Sequence, residues 1–499
     1  VTVNKYEWGG LSLRRQETPI FPPLNFHMAN METPPRSILI VGSGVYALST
    51  AWALTKRPSY GKTTITIVDD VRGGTFPPGD AASVDSSRII RADYADPDYA
   101  GLAALAQEEW RKQGDDELGG QGRYTESGLF LAANESTEPK MSGMGYTKSS
   151  WENAMNIAKK SGLAHKIRHM ESTKALQDFL GVEGHPGDWG YVNELSGWAN
   201  AGEGMRWMYG RVKATGRVSF VDGRVEELVT EGKRVVGARL SDSQVLTAEV
   251  VFVAAGAWTG SLMDLRGRVE ATAQPLGYID VSQEEFEVLA KQPVALNLST
   301  GFFIIPPQTR VLKVARHSFG YLNPVLVERA LPLSPSEERK PIVVSRPLTQ
   351  RDGESSSSGT STANVLPPDA DQALRQALKD LSPIKGLEDR PWKETRLCWY
   401  ADTSDGDFLA DWHPGWEGLF VATGDSGHGF KFLPVLGEKL LDCMAGNGGK
   451  LGEKWKWKRE AAEDAGREID GRFKGLVTMD GSRGGSPGLI LREELSKAR

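Results

Sequence analysis

One short apolar run that breaks into a glycine turn constrains this chain more than anything else in it. Ser37-Ile-Leu-Ile-Val41 reads as a buried strand and runs straight into Gly42-Ser43-Gly44-Val45-Tyr46-Ala47. The alanine- and leucine-rich stretch Leu48 to Leu54 predicts a helix, and Thr63 to Val68 a second strand that ends in Asp69-Asp70. Strand, glycine turn, helix and strand make one βαβ unit. In the pattern Gly42-x-Gly44-x-x-Ala47 the first glycine allows the tight turn and the second lets the backbone approach a pyrophosphate. The small third residue lets the helix pack closely on the strand. A diphosphate is favoured at the helix N-terminus, where N–H groups are unpaired and the dipole is positive. Asp69, or Asp70 beside it, stands where a carboxylate accepts ribose hydroxyls. The cradle suits FAD and NAD equally, and the plainer alternative is a glycine-rich turn that binds nothing.

The β character returns twice. Arg217-Val-Ser-Phe-Val-Asp and Arg234-Val-Val-Gly-Ala-Arg-Leu alternate, and Glu249 to Ala254 is an apolar run that ends in Ala255-Gly256-Ala257-Trp258. Leu419-Phe-Val-Ala-Thr423 reads as another buried strand. It enters the turn Gly424-Asp425-Ser426-Gly427-His428-Gly429, and Leu433 to Met444 reads as a helix. A chain of 499 residues exceeds one ordinary core, so two intertwined domains are expected. Residues 36–92, 195–270 and 385–450 have nucleotide-domain character, and 93–194 and 271–384 are expected to build a substrate-facing domain. Residues 1–35 read as an extension outside the fold, and Ser355 to Thr362 as a mobile loop. The charged, glycine-rich tail 451–499 is expected to lie loosely on the surface.

Charge and cysteine content narrow the function. With 59 Lys and Arg against 65 Asp and Glu, the net charge is -6, which suits no nucleic-acid partner. No apolar run approaches the ~18 residues of a membrane helix, so no membrane partner is expected. Cys398 and Cys443 are the only cysteines, which excludes a disulfide scaffold and points to a reducing compartment. The seven histidines show no metal-ligand spacing, and no metal is expected. The polar, proline-dotted start carries no secretory signal, and Ser-Lys-Ala-Arg at the end is not the Ser-Lys-Leu peroxisomal address. A cytoplasmic or otherwise intracellular monomer is the expectation.

Three further segments decide between the nucleotides. Ser86-Ser87-Arg88-Ile89-Ile90-Arg91, Arg396-Leu397-Cys398-Trp399-Tyr400 with Asp405, and Gly427-His428-Gly429-Phe430-Lys431-Phe432 resemble the monomeric sarcosine oxidase family. Ala254-Ala255-Gly256-Ala257-Trp258 is similar to the flavin-domain strand of the wider group that includes D-amino-acid oxidase. The resemblance runs from Ser37 to Met444 and is strongest to the fungal branch. That branch holds fructosyl amino acid oxidases, saccharopine oxidases and N-methyl amine oxidases of the fumisoquin-pathway type. It implies an α/β fold in which a Rossmann-like FAD-binding domain is interleaved with an α+β substrate domain on a mixed antiparallel sheet.

The resemblance also implies roles. FAD is joined by its 8α carbon to the Cys398 sulfur, where the residue alone would read as a small buried hydrophobe. Along the cofactor it places the Gly42–Ala47 turn (Ser43, Val45 and Tyr46 included), Asp69, Asp70, Ser87, Arg88, Val225, Ala255, Gly256, Trp258, Asp425, Gly427, His428, Gly429, Phe430 and Lys431. Arg91 and Lys431 grip the substrate carboxylate, and Arg88 lies beside the flavin ring. Lys313 activates oxygen and His317 is an active-site histidine, so Lys313, Arg88 and His317 are the catalytic candidates. The plainer readings are surface arginines, an outward-facing edge lysine and a turn residue at His428. Sarcosine oxidases carry a histidine four residues before the first arginine, where this chain has Val84, so a site optimised for sarcosine is not expected.

The function implied is oxidation of a secondary amine, an N-methyl or other N-substituted amino acid, to an imine with O2 reduced to H2O2. Fructosyl amino acids, saccharopine and pipecolate are the rival substrates. An NAD-dependent dehydrogenase is the reading from another class, and it leaves Cys398 and the Gly427–Lys431 turn without a purpose.

Overall fold

The computed structural model describes residues 33–135, 143–349, 364–458, 466–469 and 472–497. Residues 1–32 and the serine-rich stretch Ser355 to Thr362 lie outside the described residues. The described residues from Pro34 onward form one compact unit.

The apolar runs pair as their burial requires. Strand Ser37–Val41 lies between Thr64–Asp69 and Val250–Val253, both parallel to it, with Ile38 opposite Ile65 and Val250. Leu419–Thr423 and Val218–Asp222 extend this sheet in parallel, and Leu409–Trp412 closes one edge antiparallel. The inner strands Ser37–Val41, Val250–Val253 and Leu419–Thr423 are covered on both faces and read as near-unbroken hydrophobic runs, whereas the edge strand Val218–Asp222 alternates. Helix Val45–Lys56 follows the first strand and packs on helix Leu436–Met444. Their approach is close at Gly437, where a Cβ would lie 1.9 Å from the Ser49 carbonyl oxygen.

The second sheet has ten strands and is mostly antiparallel. Its spine is Glu270–Asp280, buried along all but its last residue. Glu394–Asp402 pairs along its length, with Gln274 opposite Cys398, and Val311–Arg316 pairs beside its C-terminal half, with Tyr278 opposite Lys313. One strand thus fixes the spacing of the thiol and the lysine. Helix Pro368–Leu381 packs on this sheet with Leu374, Ala377 and Leu378 against Ile304 and Val314. Strand Glu394–Asp402 therefore lies in this sheet and not in the nucleotide sheet, with which the segment 385–450 was grouped.

The tail does not lie loosely. Trp455 is fully buried in the core of the nucleotide sheet and donates its indole N–H to the Tyr99 hydroxyl at 2.8 Å. Leu489–Ile490 adds a strand to the ten-stranded sheet beside Tyr321–Leu322, and Arg483 is buried. Glycines and charges in a tail signal exposure only where the charges lack partners, and Arg483 finds Asp402.

Candidate active site

The first cavity, of about 450 Å³, opens where the parallel strands end. Gly42 turns with φ +99°, and a Cβ there would lie 2.5 Å from the Ala254 carbonyl oxygen, so only glycine brings the turn this close to the neighbouring strand end. Gly42, Ser43, Gly44, Val45 and Tyr46 line the cavity, while Ala47, in the first turn of the helix, is fully buried. Asp69 lines it too and accepts the Ser43 N–H at 2.8 Å and hydroxyl at 2.6 Å. Burial raises its pKa, against those hydrogen bonds. Asp70, Val225, Ala255, Gly256 and Trp258 complete that end, and Asp425, Gly427, Gly429 and Phe430 the other.

A second cavity, of about 90 Å³, adjoins it; Arg88, Tyr400, Gly427 and Phe430 line both. Cys398, Lys313, His317, Arg91, His428 and Lys431 line the second. Ser87 lines neither, and its carbonyl oxygen instead accepts from Lys313 at 2.9 Å. Gly427 has φ +72°, and a Cβ there would lie 2.2 Å from the Tyr400 ring.

At the junction Arg88 donates to the Cys398 sulfur at 3.3 Å and ion-pairs with Asp85. The fully buried Asp85 side chain also takes Lys313 Nζ at 2.7 Å and the Tyr278 hydroxyl. Burial would raise the Asp85 pKa, yet Lys313, Arg88 and Arg396 hold it well below the usual carboxylate range. Burial pulls Lys313 down to about 8, against the attraction of Asp85 and with the help of Arg88.

The far wall carries cations without anions. Arg91 and Lys431 are both buried, and neither has a carboxylate within 4 Å among the described residues. Lys431 Nζ donates to the Tyr94 hydroxyl at 2.7 Å, and Arg91 lies over the Tyr94 ring with Nη1 unpartnered. Tyr94 in turn bonds His428 Nδ1 at 3.0 Å, and His428 Nε2 meets the Gly406 carbonyl at 2.8 Å. Because that carbonyl only accepts, His428 carries its proton on Nε2 and accepts from Tyr94, so it orients the lysine's partner. Burial first, then Arg91, holds the Lys431 pKa well below the ordinary lysine value.

Asp85, Tyr94, Tyr278 and Arg483 were not singled out in the sequence. Asp85 had a signal, a carboxylate three residues before a motif arginine. Tyr94 and Tyr278 had none, because their neighbours are distant in the chain.

The FAD dependent oxidoreductase family matches residues 37–442, across both sheets. The chain belongs to that family. The oxidoreductase is similar to the amino acid oxidase imqH of Aspergillus flavus, 30% identical over 84% of this chain and 95% of that protein. It is similar as well to the amino acid oxidase fsqB of Aspergillus fumigatus, 31% identical over 86% and 99%. Among solved structures, the fructosamine oxidase Amadoriase II of Aspergillus fumigatus in complex with FSA covers 91% of this chain and 95% of its own, with a TM-score of 0.68 and 26% identity.

The residues present fit FAD. Tyr46, Ser83 and Ser261 line the first cavity, and their buried hydroxyls have no partner among the described residues. Such groups are retained where a ligand satisfies them. A cavity of about 450 Å³ is within the range of small-molecule sites. No helix among the described residues is long and apolar enough to cross a membrane, and no group of three metal-ligating side chains occurs among them.

Proposed function

We propose that this oxidoreductase oxidises the carbon–nitrogen bond of an N-substituted amino acid, holds its FAD through a thioether to Cys398, and passes the electrons to dioxygen to give hydrogen peroxide. The observation that carries the reading is the pair Arg91 and Lys431. Two buried cations sharing one tyrosine and facing a cavity are unfavourable unless an anion completes them. A planar carboxylate suits Arg91, whose Nη1 has no partner. Cys398 supports the second element, since it lines the second cavity and its sulfur accepts from Arg88, which lines both.

When bound, FAD supplies the acceptor for the two electrons of the C–H bond. The chain does the rest. Arg91 and Lys431 fix the carboxylate and so the position of the adjacent carbon. Leu276, Leu296, Phe303, Ile305 and Ala315 line the remainder of the cavity and exclude water from it. Lys313, held at the junction by Asp85, is the cation placed to stabilise negative charge that develops on reduced oxygen. The oxidoreductase is read as an intracellular monomer; its two cysteines are both free, which suits a reducing compartment.

Saccharopine, with a secondary amine and carboxylates that Arg91 and Lys431 would also hold, is the second reading. Arg316 does not discriminate, because its guanidinium stacks on Phe302 beneath helix Pro368–Leu381 and its Nε donates to the Thr300 carbonyl at 3.0 Å. The test is peroxide release by the purified protein across N-methyl amino acids, saccharopine, pipecolate and fructosyl amino acids. Peroxide with N-methyl amino acids supports the main reading, peroxide with saccharopine alone supports the second, and none with any of them defeats both.

A further inference from the structure

The tail that the composition marked as loose reaches His317, which lines the second cavity. Ser482 Oγ lies 3.2 Å from His317 Nε2, and 2.8 and 2.7 Å from the two Asp480 oxygens. The Ser482 N–H also donates to Asp480 at 3.0 Å. This arrangement is stitched in place by the main chain: Gly484 N–H donates to the His317 carbonyl at 3.1 Å and Phe319 N–H to the Gly484 carbonyl at 3.1 Å. Beside it, Arg483 donates to Asp402 at 2.6 Å and to the Ser426 carbonyl at 2.9 Å.

The proton count along this chain has one solution. An ionised carboxylate only accepts, so the single Ser482 hydroxyl proton goes to Asp480. The Ser482 oxygen then accepts from His317, which must carry its proton on Nε2. Among the described residues no group hydrogen-bonds Nδ1. We infer that Ser482 and Asp480 of the C-terminal segment hold His317 as the Nε2–H tautomer, so that its Nδ1 lone pair receives the N–H of the substrate amine in the second cavity. The assignment rests on the proposed amine substrate. His317 is then the residue that touches substrate, and Ser482 and Asp480 are positioning residues, as the orienting partner of an imidazole is elsewhere.

The surroundings keep the ring neutral. Burial lowers the His317 pKa well below its ordinary value, and Arg483, Arg91, His428 and Lys431 lower it further. Tyr400 packs on its ring at 5.7 Å between centroids. Arg91 and Lys431 therefore take the acid of an amino acid while the ring they keep uncharged takes its amine.

The test is 15N-histidine NMR of the holoenzyme, with the His317 signals assigned by their loss in His317→Gln. The expected wild-type signature is a protonated Nε2 and a bare Nδ1. Ser482→Ala mixes the tautomers and lowers kcat/KM for an N-methyl amino acid about tenfold; Ser482→Thr restores both. Asp480→Asn moves the ring toward Nδ1–H, because an amide can donate to Ser482 and turn its proton toward Nε2. A protonated Nδ1 in the wild type, or one tautomer in all variants, overturns the assignment. Failure of the amine-substrate reading shows separately, as the absence of flavin bleaching and of peroxide when the wild-type holoenzyme meets N-substituted amino acids.

Discussion

Lys313 Nζ lies 2.7 Å from Asp85 Oδ2, and both side chains are buried. The pair spans the sequence from the segment before the first motif arginine to the strand Val311–Arg316, and it sets the charge state of the lysine that lines the second cavity with Cys398. Burial lowers the Lys313 pKa to about 8 even with Asp85 opposing. The cation is thus present below about 8 and lost as pH rises through it. If Lys313 serves oxygen reduction, flavin reoxidation is fast below that pH and declines above it. Asp85→Asn removes the opposing anion and moves the decline to lower pH. Lys313→Met slows reoxidation about 100-fold while sparing reduction. Rapid-mixing of the reduced enzyme with oxygenated buffer measures this; reoxidation that ignores pH and survives Lys313→Met would remove the role.

Cys398→Ala is expected to leave no flavin in the acid-precipitated protein, whereas the wild-type pellet stays yellow. The variant still binds FAD reversibly, because the cradle from Gly42 to Asp69 is intact. Undiminished covalent flavin would place the linkage elsewhere.

Carboxylate affinity has a defined pH sign. The Lys431 pKa is depressed by burial and by Arg91, and a carboxylate between the two favours the protonated amine. Affinity for an aliphatic carboxylate lacking an amine is therefore highest below the depressed Lys431 pKa and weakens as pH rises through it. In Lys431→Met the dependence flattens. Titration of the flavin absorbance with the ligand at several pH values reads the effect, and affinity that climbs with pH would contradict the site.

Arg483 and Asp402 form an ion pair in which the side chains are 1% and 3% exposed. Arg483→Met strands a buried carboxylate and is expected to cost about 3–5 kcal/mol in urea unfolding, where an exposed pair would cost about 1 kcal/mol or less. A loss of the smaller size would show the tail to be an accessory.

The nucleotide half of the fold was legible because its signals are local. A strand, a glycine turn and a helix follow one another, and Gly42 announces its close approach by being glycine. The covering of parallel strands left unbroken apolar runs at Ser37–Val41 and Leu419–Thr423. Arg91 and Lys431 were legible only through the resemblance of Ser86–Arg91 and Gly427–Phe432 to the sarcosine oxidase family. Asp85 belongs to no motif, and its partner Lys313 lies 228 residues along the chain. Nothing local marks Tyr94, whose role depends on Lys431 and His428 folding back from far along the chain. The tail was misjudged because its composition records charge and glycine but not the partner: Arg483 is buried only because Asp402 awaits it, 81 residues earlier.

The central claim is that two buried cations select an amino acid and present it for oxidation. Anaerobic mixing of the holoenzyme with an N-methyl amino acid, and in parallel with the same amine lacking its carboxylate, tests it most directly. Bleaching of the flavin absorbance by the acid, its near absence with the bare amine, and its loss in Arg91→Gln are the predicted results. Equal bleaching by acid and bare amine, or bleaching by the acid that Arg91→Gln leaves intact, would contradict the account.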